Sequence, residues 1–425
     1  MVIVGHVLDN MAYTAVGSTS SLVWFSSGAI QALTIGFSVV AANFFGADDH
    51  EGIKKSFGAA IKLSAIISIA LSVLCAVFSR QILELLRYPA DIIDRSHRYI
   101  IWIFAGLIAS ALFNLLSNMI RGLGDSRTPL YFLVTACVIN IVLDFVFIAV
   151  LGMDTDGAGL ATVVAQLISG LACIVYIKKK QPLLHLKKKH FRYDGEINRR
   201  LIHVGLPMAF LNMVLSVGGI VMQFVTNGLG THFVSAMTTG TKIETFVTQP
   251  LLSFGSSVSV FTAQNHGAKK YSRILDGSKK TLLMCFAWCI IASLLLLPIG
   301  KPLIRLISNG LTEDVVNNAY AYLCINTAMC LVLSPLVVQK SVLQAVGRTF
   351  WPMISGFTEI IGRAGLSIVV IILLDESAPV ISEQLGFFIM CFASPMAWLL
   401  GFLTIFLDYI FMTLKFKKLA KQELC

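Results

Sequence analysis

The sequence specifies an all-α polytopic membrane protein, on three observations: its composition, a series of apolar stretches of spanning length, and a one-sided distribution of basic residues. Of its 425 residues, 56% are hydrophobic and 13% charged, and its mean hydropathy is +0.80. A soluble domain carries about twice that share of charge.

Eleven segments are long enough to cross a hydrocarbon core of about 30 Å as helices. They run over Tyr13 to Phe45, Phe57 to Val77, Ile100 to Ile120, Leu130 to Leu151, Ala158 to Ile177, Val204 to Phe224, Val234 to Phe261, Thr281 to Ile299, Ala319 to Val338, Met353 to Leu374 and Phe387 to Met412. Ahead of them stands only MVIVGHV, whose seven residues rise about 10 Å and read as the tail of a first helix. Counted with that stub, the basic residues sort by side. One side takes 23 of the 33 Lys and Arg, among them the run from Lys178 to Arg200 and the tail from Lys415 to Lys421, and the other takes six. Such a bias places the basic side and the C-terminus in the cytoplasm of a cell membrane. The formal charge of +10 is therefore a topology signal, not a nucleic-acid footprint.

The two halves echo each other. AANFFGADD (41 to 49) aligns with TAQNHGAKK (262 to 270) at an offset of 221, and GLGDSRTP (122 to 129) with AVGRTFWP (345 to 352) at 223. Two matches at nearly one offset predict a parallel internal repeat of two six-helix bundles. The expected organisation is an N-terminal lobe over 1–181, a basic linker over 182–199 in contact with anionic headgroups, a C-terminal lobe over 200–413 and a tail over 414–425. Transferred onto the second half, Met1 falls at position 222, deep within the helix that opens near Leu201. About 20 residues of the first helix are thus expected upstream.

Polar groups cluster in the first half. Asn140 and Asp144 are one helical turn apart and share a face at membrane depth. Asn114 and Thr162 lie in the spans on either side. An ionised Asp at the centre of a membrane helix costs at least about 3 kcal/mol, so it calls for a partner and a task. Oxygens from a carboxylate, an amide and a hydroxyl suit a hard monovalent cation. Asn and Thr in membrane helices also bond neighbouring carbonyls, so Asn114 and Thr162 alone carry little. A carboxylate that either a proton or Na+ can neutralise is what an antiporter needs.

In the second half Glu359 and Arg363 have the spacing of a helical ion pair. Lys242 and Glu244 are two apart, so each needs a partner elsewhere. The sequence has no G-x-x-x-x-G-K-[ST], no G-x-S-x-G and no H-E-x-x-H, which argues against ATP as the energy source and against an enzyme. Nine scattered Cys form no C-x-x-C pair, so no metal or cofactor is expected beyond the coupling ion.

IVGHVLDNMAYTAVGS at the start, RGLGDSRTPLYF followed by NIVLD, GAGLATV (157 to 163), GLPMA (205 to 209) and AQNHGAKKYSR (263 to 273) together resemble the multidrug and toxic compound extrusion (MATE) transporters over essentially the whole chain. The resemblance implies two six-helix bundles around a V-shaped cavity, with export of cationic or amphiphilic compounds in exchange for Na+ or H+ by a monomer. Asn140, Asp144 and Thr162 look like the N-terminal-lobe cation site of the DinF-type branch, and Asn114 matches an Asn near it. In the family an Asp of the first helix, just before the I-V-G segment, completes this site, and its counterpart is expected upstream of Met1. The alternative is a flippase for a lipid or a lipid-linked oligosaccharide on the same superfold, whose basic groove would have only Lys242, Lys340 and Arg363.

Overall fold

The computed structural model describes residues 2–86, 88–89, 91–307, 312–373 and 381–422. Arg87 of the charge count, the end of the tenth span at Leu374 and the last three residues of the tail lie outside them. Sixteen α-helices make up the described chain. In the first half they are α1 (Val2–Val7), α2 (Asn10–Ser18), α3 (Ser20–Gly46), α4 (His50–Val77), α5 (Ser79–Leu85), α6 (Ile93–Ala105), α7 (Leu107–Gly122), α8 (Arg127–Asp144) and α9 (Thr155–Lys180). In the second they are α10 (Gly195–Gly228), α11 (Thr231–Gly267), α12 (Tyr271–Ile307), α13 (Glu313–Ala345), α14 (Phe350–Leu373), α15 (Glu383–Met390) and α16 (Ala393–Gln422). A π-helical turn, Phe145–Val150, continues α8.

Nine of these stretches are long and apolar enough to cross a membrane, ten if α6 and α7, bent by 45° at Gly106, form one span. Among the expected eleven, α11 has the length, at 37 residues, but is not apolar enough to count as a span. Its Thr238, Thr241, Lys242, Thr245, Gln249, Ser253 and Ser257 form an exposed polar stripe that lowers its hydropathy. Chain composition and helix length thus establish a multi-pass membrane protein.

The chain divides into two compact units, Met1–Met213 and Val214–Cys425. In the first, α9 packs against α6, α7 and α8, and α3 against α7. In the second, α13 packs against α11, α12 and α16, and α14 against α16. The division falls inside α10 because the basic stretch before it, and its own first half, are fastened to the first unit. Lys189 pairs with Glu51 at 2.7 Å and Lys55 with Asp194 at 3.4 Å. Arg200 lies over the Phe44 ring. The Lys62 ammonium donates to the Phe191 carbonyl at 2.5 Å. Gly36 and Gly205 let α3 and α10 approach so closely that a Cβ on Gly36 would sit 2.5 Å from the Gly205 Cα.

The repeat read in the sequence reappears as backbone geometry. After α3 the amides of Ala47, Asp48 and Asp49 bond the carbonyls of Asn43, Phe45 and Phe44; after α11 those of Ala268, Lys269 and Lys270 bond Gln264, His266 and Asn265. Asp48 and Lys269, 221 residues apart, both adopt φ 57°. Gly124 (φ 95°) and Gly347 (φ 83°), 223 apart, end α7 and α13 in the same way. Each is the left-handed residue of a helix C-cap.

Candidate functional site

The site is built on α8, which is almost wholly exposed: Leu130, Leu133, Val134, Val138, Ile141 and Val142 point outward. Its buried residues are Pro129, Ala136 and Asp144, so the one charged side chain in its membrane-depth part turns inward while its apolar neighbours face out. Asp144 stands where the α-helix passes into the π turn. Such turns insert one residue into the ladder and recur at functional positions.

Asp144 is 8% exposed. Its Oδ1 makes no hydrogen bond, and among the described residues no Lys, Arg or His forms an ion pair with it. One turn earlier, the Asn140 amide donates to the Thr162 hydroxyl of α9 at 3.4 Å. That hydroxyl donates to the Ala158 carbonyl at 3.0 Å, so its lone pairs point away from its own helix bond. The Asn140 side-chain carbonyl is left to accept or coordinate. Asn114, by contrast, donates to the Ser110 carbonyl at 2.9 Å and the Ser110 hydroxyl at 3.2 Å within α7. The structure brings Asn140 and Thr162 together beside a buried carboxylate, and ties Asn114 to its own helix.

The second unit treats its buried acids differently. Glu244 accepts from the Tyr322 hydroxyl at 2.7 Å and feels the Arg363 guanidinium. Tyr322 also takes a bond from Thr241 at 3.3 Å. Glu359 pairs with Lys340 of α13 at 2.5 Å, and Asp408 is held by Arg348. The helical pair expected between Glu359 and Arg363 does not form. The two residues diverge: Glu359 turns toward α13 and Gly401, where only a glycine leaves room for it, and Arg363 lies against Gly218. Tyr322 and Lys340 are partners the sequence could not supply, since they stand 78 and 19 residues away. The signal was the unmet need of Glu244 itself.

Among the described residues the helices enclose four buried carboxylates, and Asp144 is the one for which no side-chain partner is found. The MatE family model matches residues 1–146 and 207–369, and the chain therefore belongs to the MatE family. It is similar to the probable multidrug resistance protein YoeA of Bacillus subtilis, 28% identical over 83% of this chain and 78% of that protein. The FAD transporter of Shewanella oneidensis is 24% identical over 71% and 68%. Among solved structures, an outward-facing MATE family transporter superimposes with a TM-score of 0.88 at 17% identity, covering 98% of this chain and 91% of that one.

Proposed function

We propose that the protein is a cation-coupled antiporter that exports cationic or amphiphilic small molecules, toxic compounds among them, with Asp144 as the group that exchanges its counter-ion. Asp144, Asn140 and Thr162 supply the oxygens; Asn114 borders them. Na+ or H+ is the coupling ion. The lobes at 1–181 and 200–413 are the bodies that alternate access, the basic linker and the first half of α10 moving with the first of them, and the linker and the C-terminus lie on the cytoplasmic side of a cell membrane.

One observation carries this reading. Of the buried carboxylates in the described chain, Glu244, Glu359 and Asp408 have a hydrogen-bonding or cationic side chain as partner, and Asp144 has an oxygen with none. A desolvated carboxylate without a fixed partner is neutralised by something that arrives and departs. When inward- and outward-facing states prefer different occupants, the fluxes of ion and substrate are coupled. The multidrug names of the relatives support export of drugs over the flippase reading.

The test is ethidium efflux from proteoliposomes under separately imposed Na+ and H+ gradients. Efflux driven by one of them and abolished by Asp144→Asn, with normal expression, is expected. Efflux of equal rate without either gradient, or retained in the variant, would sink the proposal.

A further inference from the structure

A second site lies in the other unit. Between α11 and the start of α12 is a cavity of about 600 Å³. Its lining combines the apolar Phe254, Val258, Phe261 and Met284 with the hydroxyls of Ser257 and Thr281, and the charged Arg273, Asp276 and Lys280 stand on the α12 side. The lining runs along α11 from Phe254 to Phe261, about 10 Å of helix axis, and along α12 from Arg273 to Met284, about 16 Å. Phe261 and Met284 remain 39% and 53% exposed, which leaves the cavity open sideways.

Among the described residues neither Arg273 nor Lys280 forms an ion pair, and Asp276, the acid that shares the lining, pairs with neither. Lys279 adds positive charge one residue away. An organic cation would meet these basic residues as a like charge. A negative headgroup on an apolar chain meets both halves of the lining, and a basic pocket between membrane helices at their cytoplasmic ends is the form in which anionic lipid headgroups are held. The cavity volume is within the range of small-molecule sites.

We propose that this cavity binds an anionic membrane phospholipid, its phosphate at Arg273 and Lys280 and an acyl chain along Phe254, Val258, Phe261 and Met284. The site is separate from Asp144 and does not depend on the transport reading.

The test is native mass spectrometry of the purified full chain after equilibration with equal phosphatidylglycerol and phosphatidylcholine of matched chains. Wild type retains phosphatidylglycerol selectively. The pair Arg273→Gln with Lys280→Gln lowers that retention about tenfold, and Asp276→Asn, which removes the opposing acid, raises it about threefold. Asp144→Asn binds as wild type does, so a failure of export and a failure of lipid binding are separate results. Equal retention of the two lipids, or indifference to both changes, overturns the proposal. The Asp276 variant keeps the test decisive should the double variant not fold.

Discussion

Asp144 and Glu359 are both carboxylates sunk among membrane helices, and the difference between them is a lysine. Lys340 lies at 2.5 Å from Glu359, with 14% and 4% of the two side chains exposed, so that acid is compensated by the protein itself. Lys340→Met leaves it buried and unpaired, at a cost of about 3–5 kcal/mol. Thermal melting of purified protein reads this as a large fall in midpoint, most of which Lys340→Met combined with Glu359→Leu recovers. An equal fall in single and double variants would show that packing, not charge, is what Lys340 contributes. For the first unit the order of effects follows the hydrogen bonds. Thr162→Val removes one oxygen and weakens ion binding about tenfold. Asn114→Ala changes coupled efflux by less than about twofold, because its amide is spent on Ser110. Asn140 and Asp144 were legible in the sequence as a turn-spaced pair at depth. The pairing of Glu359 was not, because spacing says which residues share a face and not which of two helices that face meets.

At the scale of elements, the C-caps repeat with no regard for side-chain identity. Asp48 and Lys269 occupy one backbone conformation with opposite charges, so the turn geometry, not the residue, is what the two halves share. A non-glycine residue in the left-handed region costs roughly 1–2 kcal/mol. Asp48→Gly and Lys269→Gly should therefore each raise stability by up to about 1 kcal/mol, and Gly347→Ala should lower it by about as much, as read from melting midpoints. Opposite signs would mean that these caps are not strained. The caps were legible because Gly46 with Gly267, and Gly124 with Gly347, hold one register in the sequence. The polar stripe of α11 was not, since its segment reads as a span from length and apolar content, and neither says that its hydroxyls gather on one exposed face.

For the whole molecule, composition and the series of apolar segments were enough to predict a helical membrane protein, because both are summed over hundreds of residues and survive local irregularity; the repeat came from two short matches at nearly one offset. The break between compact units was less visible. The basic run from Lys178 to Arg200 has the look of a free linker, yet Glu51, Asp194 and the Phe191 carbonyl fasten it to α4 and carry the first half of α10 with it. Those contacts join positions more than a hundred residues apart. The central claim concerns one carboxylate compensated by a visiting ion, and it is tested most directly by ion binding to purified protein without substrate. Equilibrium binding of radioactive Na+, with proton release followed in the same sample, should show one site or one titrating proton in wild type and neither in Asp144→Asn. Wild-type binding or proton release retained by that variant would contradict the account.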